Sequence, residues 1–84
     1  MTYYELSPLF VHPRATDIEI LREMKGQGQY QGVDNVLRLV SFVLNGETCY
    51  TVMSNNCPRS QGQNYKYACS EYNRIKRIWN KKGL

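Results

Sequence analysis

The chain has 84 residues, of which 42% are hydrophobic, and its formal net charge is +4. A chain of this length buries only about 60% of its unfolded surface, so we expect one small domain over residues 1–84 and exclude a second. Its three cysteines cannot all pair and show no C-x-x-C spacing, which argues against a disulfide framework. With no basic and apolar leader at its start, we expect an intracellular, cytoplasmic location.

The first predicted elements are an extended arm and a helix. Residues 1–13 are rich in aromatic and branched side chains but contain Pro8, which lacks a ladder donor and favours an arm or an edge strand. Thr16-Asp17-Ile18-Glu19 then matches a capping box, which predicts a helix over Asp17 to Lys25 that Gly26 ends. The spacing of three apolar side chains predicts its buried face: Ile18, Leu21 and Met24.

A β-hairpin is predicted next, between two polar loops over residues 26–32 and 55–64. Asn45-Gly46 separates two apolar runs, Val36 to Leu44 and Glu47 to Ser54. Asn-Gly favours a type I′ turn, because both turn positions need a positive φ. A two-residue turn places Leu44 opposite Glu47 and Phe42 opposite Cys49.

Both faces of this hairpin are apolar, so both need a cover. Helices are expected on one face, and the second face is left to the N-terminal arm with Phe10 and Val11 or to another copy of the chain. The sequence therefore predicts an α+β domain of order β-α-β-β-α with two helices packed on one sheet face. Homodimerisation through the sheet is a further expectation.

The last segment, Tyr65 to Leu84, predicts a basic amphipathic helix that Ser60 or Asn64 caps. Residues 58–84 hold seven basic and one acidic side chain, a net charge of +6, whereas residues 1–57 carry −2. The positive charge is therefore local and favours an anionic partner. The apolar stripe of this helix is predicted to contain Tyr65, Ala68, Cys69, Tyr72, Ile75 and Trp79.

No catalytic or metal-binding set accompanies this pattern. His12 has no Cys or carboxylate at ligand spacing, and Cys49 and Cys69 occupy a strand and an apolar stripe as small hydrophobic residues do. Cys57, beside Arg59 in a predicted loop, lacks a positioned base. We therefore expect a non-enzymatic protein with no cofactor and no metal.

The basic helix and the seven tyrosines indicate a binding function. Our leading hypothesis is stoichiometric association with an unidentified protein, as an inhibitor or regulator such as a phage directs against its host. The alternative is a DNA- or RNA-binding protein, since cations beside an aromatic ring suit phosphate and an unpaired base. Both hypotheses use the same side chains: Arg59, Lys66, Tyr67, Arg74, Lys76, Arg77, Lys81 and Lys82.

Overall fold

The computed structural model describes residues 4–84, and within them the chain forms one antiparallel sheet and two helices. The elements are α1 (Pro8–Val11), β1 (Thr16–Tyr30), β2 (Val33–Leu44), β3 (Glu47–Ser54), β4 (Cys57–Gly62) and α2 (Tyr65–Lys82). The four strands lie side by side in sequence order. The predicted α+β class is confirmed, but the order is α-β-β-β-β-α, where β-α-β-β-α was expected.

Three two-residue turns connect the strands. Gln31-Gly32, Asn45-Gly46 and Asn55-Asn56 all have positive φ at both positions, between 51° and 79°, as type I′ turns require. The Asn45-Gly46 hairpin is confirmed, with Leu44 opposite Glu47 and Phe42 opposite Cys49. The predicted loops are wrong over most of their length, because β1 continues to residue 30 and residues 57–62 form β4.

The predicted helix over Asp17 to Lys25 is also wrong, because this segment lies in β1. Its pairing with β2 shifts register between Thr16 and Glu19 and again between Ile20 and Arg22. Each shift inserts one unpaired residue into β1. After each insertion, the even-numbered and odd-numbered residues exchange the faces of the sheet to which they point. The three apolar residues that suggested a helix therefore share no face: Ile18 packs on the arm-covered cluster, Met24 packs on the cluster under α2, and Leu21 is exposed.

Each face of the sheet has its own apolar cluster, as the hairpin pattern predicts. On one face, α2 covers a cluster of buried side chains: Leu37, Leu39, Val52, Ala68, Tyr72, Ile75 and Trp79. On the other, the N-terminal segment covers a second cluster: Val11, Val40, Phe42, Cys49 and Met53.

The two helices predicted on one face are reduced to α2, because the first of them is β1; the short helix α1, which was not predicted, brings Val11 to the opposite face. The edge strand proposed within residues 1–13 is wrong as well, since residues 4–7 have no regular structure and residues 8–11 are helical; residues 1–3 lie outside the described part. Of the two covers considered for this face, the arm provides one through Val11, whereas Phe10 is exposed. The homodimer stays a prediction.

A buried arginine ties the arm to the sheet. Arg38 is only 4% exposed, and its Nε donates to Glu23 Oε2 at 2.7 Å. Its Nη1 donates to Asn56 Oδ1 at 2.9 Å, and its Nη2 donates to the carbonyl oxygen of Tyr4. The Asn56 side chain in turn donates to the carbonyl oxygen of Glu5 at 2.7 Å. One guanidinium thus joins β1, the β3–β4 turn and the arm.

Candidate functional site

Helix α2 positions most of the predicted site. The side-chain oxygen of Asn64 accepts a hydrogen bond from the Tyr67 backbone N–H at 3.0 Å and so caps the first turn. Gly83, with a φ of 72°, ends the helix in the left-handed conformation. The predicted amphipathic helix is confirmed, and its buried side is formed by Ala68, Tyr72, Ile75 and Trp79.

The opposite side of α2 is exposed and carries most of its charge. At about 100° per residue, five cationic or aromatic side chains, together with Ser70, fall within a sector of about 100° that faces away from the sheet. We call this set the outward face of α2: Lys66, Tyr67, Arg74, Arg77 and Lys81. Lys76 and Lys82 lie on its two flanks. Residues 65–82 carry a net charge of +5, so the rest of the chain carries −1.

One of these cations is already engaged within the helix. Arg74 donates to Glu71 through Nε at 3.2 Å and through Nη2 at 2.8 Å. This bidentate hydrogen bond lowers the pKa of Glu71 below its ordinary value. Among residues 4–84 the salt bridges are this pair, Lys25–Asp34 and Arg38–Glu23, so Lys66, Arg77 and Lys81 form none.

Arg59 lies apart from the outward face. It is exposed on β4 and lines a cleft of about 550 Å³ at the end of the sheet where the β1–β2 and β3–β4 turns lie. Six of the side chains that line the cleft matter for its chemistry: Tyr4, Tyr30, Gln31, Asn35, Arg59 and Trp79. This cleft is not predicted from the sequence. Its residues come from separate stretches of the chain, and only the fold brings them together.

The cysteines and the histidine lie in different surroundings. Cys49 is buried, Cys69 is half-buried and Cys57 is exposed in the wall of the cleft. Nδ1 of His12 accepts a hydrogen bond from the Arg14 backbone N–H at 3.1 Å. The described chain contains no group of three or more His, Cys, Asp or Glu side chains arranged to hold a metal ion.

No helix in the described chain combines the length and the apolar character that crossing a membrane requires. Comparison with protein-family models, with curated proteins and with solved structures finds no match. The chemistry of the outward face and of the cleft therefore has to be inferred from their own residues.

Proposed function

We propose that this protein acts by stoichiometric, non-enzymatic binding, and that the outward face of α2 contacts an acidic surface of a protein partner. The observation that carries this proposal is the set of exposed cations on that face that form no salt bridge within residues 4–84: Lys66, Arg77 and Lys81. A bound protein of this size would mask the surface it covers, which is how an inhibitor or regulator without a catalytic set acts.

The rigidity of α2 supports recognition by this surface. Both ends of the helix are capped and its inner side is packed on the sheet, so little conformational entropy is lost when the exposed side chains meet a partner. Tyr67, 58% exposed beside the cations, adds a large ring of the kind that dominates protein interfaces. Complementary charge would set the orientation and speed of association.

The second candidate is nucleic-acid binding, and Tyr67 is the observation that favours it, because an exposed ring among cations can stack on an unpaired base. The charge count favours the protein partner. With Arg74 paired to Glu71, the face and its flanks offer five cations free of salt bridges within residues 4–84. Strongly salt-dependent DNA-binding proteins make roughly 6–10 phosphate contacts.

Charge reversal of Arg77 tests the leading proposal. Proteins retained by the wild-type chain from extracts of its native host are compared with those retained by Arg77→Glu. We expect one protein to be held at fixed stoichiometry by the wild type, and its affinity, once that protein is purified, to fall at least about tenfold in the variant. Arg14→Glu, an exposed arginine outside α2 with the same change in charge, should bind as the wild type does.

Salt and nuclease treatment separate the two candidates. Retention that survives nuclease digestion supports the protein partner. Retention that disappears on digestion supports nucleic acid, and the logarithm of the binding constant should then fall linearly with the logarithm of salt concentration. In that case Arg77→Ala should reduce the slope by about one. Equal binding by wild type and Arg77→Glu in both experiments contradicts a role for the outward face.

A further inference from the structure

The cleft has a rigid floor built by side-chain amides. Asn35 Nδ2 donates to the carbonyl oxygen of Leu84 at 2.8 Å, and Asn55 Nδ2 donates to Asn35 Oδ1 at 2.8 Å. The backbone N–H of Gly28 donates to the same Leu84 oxygen at 2.8 Å. These bonds join the first two strands, the β3–β4 turn and the chain after α2, so the shape of the cleft is fixed before anything binds.

Aromatic rings line this rigid site. Tyr30 is 57% exposed at the rim, and its carbonyl oxygen accepts a hydrogen bond from the Tyr4 hydroxyl at 2.9 Å. Trp79, only 6% exposed, reaches the cleft from the buried side of α2. The exposed ring of Tyr30 contributes little to either core cluster, yet it offers a flat surface on which a planar ligand can stack.

The charge and hydrogen-bonding groups of the cleft select the ligand further. Arg59 forms no salt bridge within residues 4–84, none of the side chains lining the cleft is acidic, and the main-chain oxygen of Leu84 in the lining accepts hydrogen bonds from Asn35 and Gly28. The negative end of the α2 dipole points to this region, but Lys81 and Lys82 in the last turn offset it. Gln31 lines the cleft and makes no side-chain hydrogen bond to residues 4–84, so within this part of the chain its amide donor and acceptor remain available to a ligand.

We propose that the cleft binds an adenine nucleotide. The base stacks on Tyr30, the Gln31 amide pairs with adenine N6 and N7, as glutamine does in nucleic-acid complexes, and the Arg59 guanidinium binds the phosphate. The volume of about 550 Å³ lies within the range of roughly 300–1,000 Å³ that is usual for small-molecule sites. This site is separate from the outward face of α2 and goes beyond the proposed function.

The test uses Trp79, the only tryptophan of the chain, as an internal probe. Titration of the full chain with adenosine 5′-monophosphate should change the Trp79 fluorescence to saturation. Adenosine, which lacks the phosphate, and ribose 5-phosphate, which lacks the base, should each bind about tenfold more weakly than adenosine 5′-monophosphate, because each loses one contact. Cytidine 5′-monophosphate should also bind more weakly. Calorimetry of the same ligands covers the case in which binding leaves the fluorescence unchanged.

Two variants assign the contacts. Arg59→Gln should remove the preference for adenosine 5′-monophosphate over adenosine, and Tyr30→Ala should weaken the nucleotide about tenfold. Arg14→Gln, at an exposed arginine outside both the cleft and α2, should bind the nucleotide as the wild type does. Because the cleft and the outward face are separate, this test can fail without affecting the proposed function. If a short oligoadenylate binds much more tightly than the mononucleotide, the adenine that the cleft recognises belongs to a single-stranded nucleic acid.

Three results would overturn the proposal. The first is the absence of saturable binding in both fluorescence and calorimetry. The second is equal affinity for ribose 5-phosphate and adenosine 5′-monophosphate, which would reduce the cleft to an anion site. The third is a change in Trp79 fluorescence on addition of a short oligoglutamate peptide but not on addition of the nucleotide. The cleft would then recognise an acidic protein segment.

Discussion

Arg38 shows how a single residue can hold a whole segment in place. Its guanidinium is buried, yet it donates hydrogen bonds to three polar groups: the Glu23 carboxylate, the Asn56 amide oxygen and the Tyr4 carbonyl. A buried cation is tolerated only when it is paired and its donors are satisfied. Here the partners lie on three different segments, so the energy that keeps the charge buried also fixes the start of the described chain against the sheet.

Replacement of Arg38 by alanine should therefore be costly. Arg38→Ala leaves three acceptors without their donor, and we expect the free energy of unfolding to fall by about 3 kcal/mol. Urea denaturation followed by Trp79 fluorescence measures this change. Arg14→Ala removes an exposed arginine from the same chain and should stay within about 0.5 kcal/mol of the wild type. A similar small effect at Arg38 would contradict the anchoring role.

Among the helices, strands and turns, those whose sequence pattern lies within one short segment are predicted correctly. The Asn45-Gly46 turn and the amphipathic period of α2 each lie within one short segment, and both are confirmed. The cations of the outward face follow the same helical period, so the sequence also predicts that they lie together. The period of a regular element is a local property, so it can be read from a single segment without knowledge of its partners.

The missed elements depend on pairing between distant segments. β4 contains Pro58 and few β-forming residues, and it is a strand because it lies along the edge of β3. β1 resembles a helix in sequence because Ile18, Leu21 and Met24 are spaced by three, yet in the strand Ile18 and Met24 pack on opposite faces of the sheet. Gly26, predicted to end that helix, has another role: a Cβ there would lie 2.2 Å from the Leu84 carbonyl oxygen, so the close approach of the chain end requires glycine.

The cap of α2 provides a test at this scale, because the same substitution has opposite effects at two positions of the helix. Asn64→Ala removes the acceptor for the Tyr67 backbone N–H, and the free energy of unfolding should fall by about 1 kcal/mol. Asn80→Ala, at an exposed position inside α2, should raise it by a few tenths of a kcal/mol, because alanine has the higher helix propensity. Equal losses at both positions would contradict a specific role for the cap.

The molecule as a whole is a sheet covered on its two faces by different means. A long capped helix covers one face, and a short arm with a one-turn helix covers the other. The arm-covered face is the more vulnerable of the two, because a short segment is held there by few apolar contacts and by the polar contacts of Arg38. If the arm detached, Val40, Phe42 and Met53 would form an exposed apolar surface, which is the kind of surface that pairs with another copy.

Val11 is the side chain through which α1 enters this cluster, and it is 5% exposed. Val11→Asp places a charge among apolar groups, so we expect the arm to detach and the protein to become less stable. Size-exclusion chromatography with light scattering should then show more dimer for Val11→Asp than for the wild type at the same protein concentration. Leu9→Asp changes a neighbouring residue of the same short helix that is 72% exposed, and it should behave as the wild type does. A wild-type dimer that Val11→Asp leaves intact would place the interface away from this face and contradict the arm as its cover.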